Sequence, residues 1–212
     1  MISESVSLSA EPKVKATKRK IPAYLVRETI DGVNFYYPGF RQVLNKQKKL
    51  DEIMGDSGLQ FFLKFYLAEL LNKDLDKQLY RVAGGELGFH ASLKNNMGLD
   101  VVIFDRAVLT PDKITPRYVS VAPKVVIEID VNVELPDRTS DLFQEYVIRK
   151  VDSLFKHGVE KVIWFFSKSK KVFIALPGQA WQIDDWNQDV ELFEGVKVNV
   201  ADFIAQEGFK LE

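Results

Sequence analysis

Three carboxylates stand in the sequence where little water would reach them. Asp100 lies in the run Leu99-Asp100-Val101-Val102-Ile103-Phe104, and Glu128 and Asp130 close the run Val125-Val126-Ile127-Glu128-Ile129-Asp130. Runs this apolar read as central strands covered on both faces. A carboxylate placed there loses hydration, so it must be paired, protonated or bound to a metal. Three carboxylates on neighbouring strands cannot all pair with each other, and a divalent cation is the simplest resolution. The chain has no cysteine and only two histidines, His90 and His157. Disulfides, cysteine-ligated zinc and iron–sulfur clusters are thereby excluded, and a multi-histidine site nearly so. A site built from carboxylates suits Mg²⁺ or Mn²⁺ better than zinc.

Two further residues have unusual settings. The spacing predicts a helix over Asp141 to His157, stopped by Gly158, with an apolar stripe of Phe143, Tyr146, Val147, Val151 and Leu154. At the helical period Lys150 falls in the middle of that stripe. Either its stem snorkels to the surface, or its ammonium reaches a buried acidic cluster. Strand–helix–strand order sets this helix against the same sheet as the acidic strands. Upstream, Tyr24 to Tyr37 reads as a β-hairpin turning at Asp31-Gly32. Alternation aligns Glu28 with Tyr24, Val26 and Ile30 on one face. Glu28 then either points inward or reaches water near the turn. Asp130 shares the face of Glu128 and is a further ligand or a solvent-facing strand end.

The elements that would position these residues follow from the rest of the chain. With 212 residues, 46% of them hydrophobic, one domain over 21–212 is expected. Met1 to about Lys20 is polar, carries Lys13, Lys15, Lys18, Arg19 and Lys20, and is expected to be disordered. Gln42 to Lys49 is a basic loop or exposed helix. Gly58 to Asn72 is a helix, apolar on more than one face, that would pack on two partners, one of them a candidate second subunit. Arg81 to Ala83 and Glu86 to His90 are short strands around Gly84-Gly85. Val162 to Phe166 and Lys171 to Leu176 are strands, and a final turn falls at Asp202 to Ile204. No segment is apolar and long enough to span a membrane, and the first residues lack the apolar run of a secretory signal, so a cytoplasmic location is expected. A net charge of -1 gives no global attraction to nucleic acid, which leaves local basic patches to supply any.

Other chemistry-bearing residues have simpler readings. Gly84-Gly85-Glu86-Leu87-Gly88 lacks the strand-to-helix setting of a dinucleotide loop. His90 reads as a packed strand residue, His157 as a cap at a helix C-terminus, and Trp164, Phe165 and Phe166 as core.

Taken in order, four stretches resemble the PD-(D/E)xK nuclease superfamily, and more closely its bacterial branch of restriction-endonuclease-like proteins of unknown function. Arg27-Glu28-Thr29-Ile30-Asp31-Gly32 resembles that branch's E-x-I-D-G hairpin. Leu99 to Ile103 resembles its P-D-V-x-V strand, and Val125 to Ile129 its V-V-E-V/I strand. Lys150, followed by Leu154-Phe155-Lys156-His157-Gly158-Val159-Glu160-Lys161-Val162-Ile163-Trp164, resembles its K…Y…A-G-V-x-E-Y-W helix and strand. The likeness covers roughly Tyr24 to Leu176. Gly98-Leu99 replaces the usual residues before Asp100. Asp130 stands where the strand lysine is often found, so Lys150 would take that lysine's part from the helix.

The resemblance implies an α/β (α+β) restriction endonuclease-like core, a mixed sheet flanked by helices with an N-terminal hairpin. It implies Asp100 and Glu128 as metal ligands helped by the backbone carbonyl of Ile129, Glu28 as an accessory carboxylate, and Lys150 as the cationic catalytic residue. The expected activity is Mg²⁺- or Mn²⁺-dependent hydrolysis of DNA phosphodiester bonds by a homodimer. The alternatives are a nuclease-fold module that binds nucleic acid or protein without cutting, and a purely structural role for the carboxylates.

Overall fold

The computed structural model describes residues 20–137 and 141–210. Most of the basic N-terminal stretch read as disordered lies outside the described residues.

Asp31 and Gly32, both at positive φ (48° and 78°), turn the chain between β1 (Val26–Ile30) and β2 (Val33–Tyr36). This is the backbone a tight hairpin requires. A short helix α1 (Phe40–Leu44) and a basic loop follow. The long helix α2 (Gly58–Asp74) starts at Ser57, whose hydroxyl accepts from the Gln60 amide. Strands β3 (Tyr80–Ser92), β4 (Asn95–Asp105) and β5 (Val125–Ile129) come next. A π-helical turn over Phe143–Ile148 then runs into α3 (Arg149–Lys156). Gly158, at φ 102°, stops that helix where the sequence predicts. The chain closes with β6 (Lys161–Phe166), β7 (Lys171–Ala175), β8 (Gln182–Asp185), the hairpin β9 (Val190–Phe193) and β10 (Val196–Val198), and α4 (Val200–Glu207).

Eight strands, β1 to β8, form one mixed sheet. Among the strands of the described residues only β5 and β6 run parallel, with the π-turn and α3 in the crossover between them, and the other pairs are antiparallel. Each face carries a hydrophobic layer. Leu63, Leu67 and Leu71 of α2 pack with Phe203 and Ile204 of α4 on Val101, Ile103, Ile127 and Ile163. On the other face, Val147, Val151 and Leu154 pack on Val102, Val126, Val162 and Trp164. The mixed sheet flanked by helices agrees with the fold class expected from the sequence.

Two segments differ from the sequence reading. The short strands around Gly84-Gly85 are one 13-residue strand, β3, with a bulge between Gly84 and Leu87, because β4 pairs with it along nearly its whole length. A Cβ on Gly84 would come within 2.9 Å of the Ala68 side chain, so glycine there lets α2 lie close to the sheet. The expected final turn is the two-turn helix α4, capped by the Asn199 side chain.

The sheet forks at β4. One edge of β4 is covered by β3, so β1 and β5 must share the other. Val101, Val102 and Ile103 pair with β5, whereas Asn96 pairs with Thr29 of β1. Residues 97–100 lie between these two partners. Core alternation also changes phase here: Met97 and Leu99 join the α3 layer, Val101 and Ile103 the α2 layer.

Candidate functional site

Backbone groups at a fork need partners other than a strand. At Gly98 the N–H donates to Glu28 Oε1 (3.1 Å), and the carbonyl accepts from Lys150 Nζ (2.8 Å). The Ile129 N–H donates to Asp100 Oδ2 (2.8 Å), and the Ile129 carbonyl accepts from Gln60 Nε2 (2.7 Å). Side chains therefore close the gap that the strands leave open. The structure brings Glu28, Asp100, Glu128 and Lys150 together there, all buried.

Lys150 comes from the face of the sheet covered by α3. It reaches inward rather than to the surface, and its ammonium is wholly buried. It contacts Glu28 Oε1 (3.0 Å), Glu128 Oε2 (3.1 Å) and the Tyr146 hydroxyl (3.3 Å), and lies over the Tyr146 and Trp164 rings. Tyr146 also donates to Glu28 Oε2 (3.1 Å). The turn holding Tyr146 is π-helical where the sequence predicts regular α-helix. Such turns re-aim side chains and are frequent at functional sites.

Lys64 comes from the opposite face, on α2, and the sequence reading passed over it. Its Nζ lies 2.7 Å from Asp100 Oδ1 and 2.8 Å from Asp56 Oδ2. Gln60, also missed, is one helical turn away. The signal was present: Gln60 and Lys64 share the i, i+3, i+4, i+7 stripe of Leu63, Leu67 and Leu71. It was obscured by Phe61, Phe62 and Phe65, which make α2 look apolar all round but are exposed.

Among the described residues, three fully or nearly buried carboxylates, Glu28, Asp100 and Glu128, face two buried lysines, Lys64 and Lys150. With all three carboxylates ionised the cluster is one positive charge short. Burial, reinforced by the negative charges of Asp100 and Glu28 and opposed by Lys150, pushes Glu128 up to about 8. Burial also raises Asp100, against the pull of Lys64. For Lys150 burial works downward, but Glu128 and Glu28 outweigh it and hold the ammonium well above the ordinary lysine range. Glu128 Oε1 is buried without a hydrogen-bond partner. A cavity of about 10 Å³, room for roughly one water-sized occupant, is lined by Glu28, Gln60, Asp100, Glu128 and Ile129.

No group of three His, Cys, Asp or Glu side chains among the described residues is arranged to hold a metal. Glu28 is drawn off by Lys150 and Tyr146. Asp130 sits at the rim, but its two carboxylate oxygens accept from the Ser167 amide and hydroxyl, each at 2.7 Å. Its carbonyl accepts from Trp164 Nε1 (2.7 Å), so Asp130 ties the end of β5 to β6. Asp100 is also engaged, by Lys64 at Oδ1 and the Ile129 amide at Oδ2, and the Ile129 carbonyl by Gln60; among the described residues Glu128 Oε1 is the one carboxylate oxygen of the cluster without a partner. With the remaining lone pairs of Asp100 and of the Ile129 carbonyl it makes a donor set of the hard-oxygen kind Mg²⁺ takes, which uses one or two carboxylates and completes its shell with water and substrate phosphate. His90 pairs with Asn96 (2.7 Å), and the His157 Nδ1 lies 2.7 Å from the Ser153 carbonyl at the end of α3; neither joins the cluster.

No family model matches the sequence, and no curated protein matches it. Among solved structures, the chain is similar to a protein from Anabaena variabilis ATCC 29413 described as a candidate nuclease belonging to DUF820. The two share 16% identity over 84% of this chain and 89% of that one, with a TM-score of 0.59. This chain therefore shares the fold of that protein, a mixed sheet flanked by helices, with the carboxylates of β4 and β5 at the fork of that sheet.

Proposed function

We propose that the protein is an Mg²⁺- or Mn²⁺-dependent endonuclease that hydrolyses DNA phosphodiester bonds at the β4–β5 fork. The observation that carries this reading is the buried Glu128 Oε1 without a partner, in a cluster one positive charge short. A similar fold in a protein described as a candidate nuclease supports it. Asp100 and Glu128, with the Ile129 carbonyl, would hold the cation. When bound, it would polarise a phosphoryl oxygen and make a coordinated water more acidic. Lys150 keeps its proton and offsets negative charge that develops on the phosphoryl group. Glu28, Tyr146 and the Gly98 carbonyl position that ammonium. Replacing Glu128 by Ala is expected to abolish Mg²⁺-dependent nicking of supercoiled DNA while the far-ultraviolet circular dichroism is retained. Unchanged nicking by the purified variant sinks the proposal.

One observation favours a second reading. Lys64 already neutralises Asp100 at 2.7 Å, as a lysine would in a nuclease-fold module that binds nucleic acid without cutting. A plasmid-nicking assay with Mn²⁺ separates the two, since a non-cutting module leaves supercoiled DNA intact.

A further inference from the structure

A cavity of about 570 Å³ adjoins the carboxylate cluster and shares Arg27, Glu28 and Gly98 with it. That volume lies within the usual range for small-molecule sites. Its other walls are not those of a metabolite pocket buried in the core. They are the β1–β2 hairpin, β3, β4 and the segment bearing Tyr118.

Tyr118 is 60% exposed, yet it is held in place. Its neighbour Val119 donates to the Gly88 carbonyl (2.9 Å) and accepts from the His90 amide (2.8 Å). The ring lies so close to Gly88 that a Cβ there would sit 2.5 Å from it. Glycine at 88 is what allows this ring position. An exposed, pre-ordered aromatic face beside polar groups is what a nucleobase stacks on. The polar groups are present. Thr29 engages the Asn34 side-chain oxygen (3.0 Å), and His90 lies 2.7 Å from that of Asn96, leaving both NH₂ groups as donors. Amide donors suit the carbonyl and ring-nitrogen acceptors of a base edge. Arg27, on the wall common to both cavities, lies over the Tyr37 ring at 5.4 Å and pairs with Glu86. It is placed for a backbone phosphate between the base and the cluster.

We propose that this cavity seats an unpaired nucleobase of the substrate, stacked on Tyr118, so that the enzyme acts on single-stranded or locally unpaired DNA. The proposal rests on the nuclease reading. A base inside a duplex is stacked on both faces and cannot enter a concave site without being flipped out.

The test measures anisotropy of a fluorescent oligothymidylate, alone and annealed to its complement, in EDTA. The proteins are wild type, Tyr118→Ala and Tyr118→Phe, with thermal melting to establish that each is folded. Cleavage of the same substrates with Mn²⁺ is measured in parallel. Expected are tighter binding and faster cutting of the single strand, a loss of about 5- to 150-fold in Tyr118→Ala, and retention in Tyr118→Phe. Gly88→Val, which drives a side chain into the ring, should weaken binding as well. Equal handling of single strand and duplex, or unchanged binding by a folded Tyr118→Ala, overturns the cavity's role while metal-dependent cleavage still stands. Absence of both binding and cleavage overturns the nuclease reading and this inference together.

Discussion

Glu128 is a buried carboxylate set beside two others. Its pKa rises from an ordinary 4.5 to about 8, chiefly through burial. A raised acid contributes stability that is fully present below pH 4.5 and is lost as pH rises through about 8. Replacing Glu128 by Gln removes that loss. In metal-free protein the stability advantage of Glu128→Gln over wild type should therefore grow between those limits, by an amount on the order of a few kcal/mol, and then level off. Urea unfolding across pH measures it, and a constant difference would show that Glu128 is ionised throughout. The same argument predicts that Mn²⁺ binding near neutral pH releases about one proton, read by calorimetry in buffers of different ionisation enthalpy. Lys150 is the other side of the balance. Lys150→Met leaves Glu28 and Glu128 buried without their cation and should cost about 3–5 kcal/mol, far more than an exposed lysine would.

At the scale of elements, the site depends on where β1 and β5 leave β4. Glu28 reaches the cluster because β1 takes over the edge of β4 that β5 leaves. Lys150 reaches it from α3, and Lys64 from α2 on the other face. The sheet is thus clamped at the fork by one lysine from each side. Helix α2 has a second task, since Leu63, Leu67 and Leu71 form one core layer. Leu67→Ala should destabilise by about 2–5 kcal/mol and, by loosening α2, also weaken Mn²⁺ binding. Denaturant titration and calorimetry on the same variant check both effects. That Lys150 sits on the apolar stripe was readable, but whether its ammonium turns inward or snorkels was decided only by Glu28 and Glu128 lying within reach of it. The π-helical turn before it was not readable, since nothing in Phe143 to Ile148 distinguishes i→i+5 from i→i+4 bonding until Tyr146 has to reach Glu28.

For the whole molecule, a net charge of -1 offers DNA no long-range attraction. Affinity must come from local cations. Lys46, Lys48 and Lys49 are exposed on the loop after α1, and Lys48 lines a cavity of about 470 Å³ with Arg27, Gln60 and Asp130 at the rim of the site. If DNA runs along this rim, replacing the three lysines by Gln should weaken binding of all sequences alike. The slope of log affinity against log salt should become shallower, by about 0.7–0.9 for each phosphate that is no longer neutralised. An unchanged slope would mean that the backbone takes another path.

The sequence by itself determined that buried carboxylates exist, which strands carry them, and that a lysine interrupts an apolar helical stripe. These are local facts: an apolar run and a helical period are legible wherever the chain folds. It also determined the tight hairpin at Asp31-Gly32, because that turn needs φ values that few residues adopt. Only the tertiary structure decided which side chains meet. Lys64 and Gln60 could not be paired with Asp100 and Ile129 from their spacing. Gln60 and Ile129 are 69 residues apart, and both pairings depend on α2 crossing the sheet at Gly84. Asp130 is acidic like Glu128 and, two positions on, shares its face by alternation in the sequence, yet a positive φ just past β5 and Ser167 turn it away. The fork itself is a property of pairing between β1, β4 and β5, and strand pairing over such distances is set by the packing of the whole sheet.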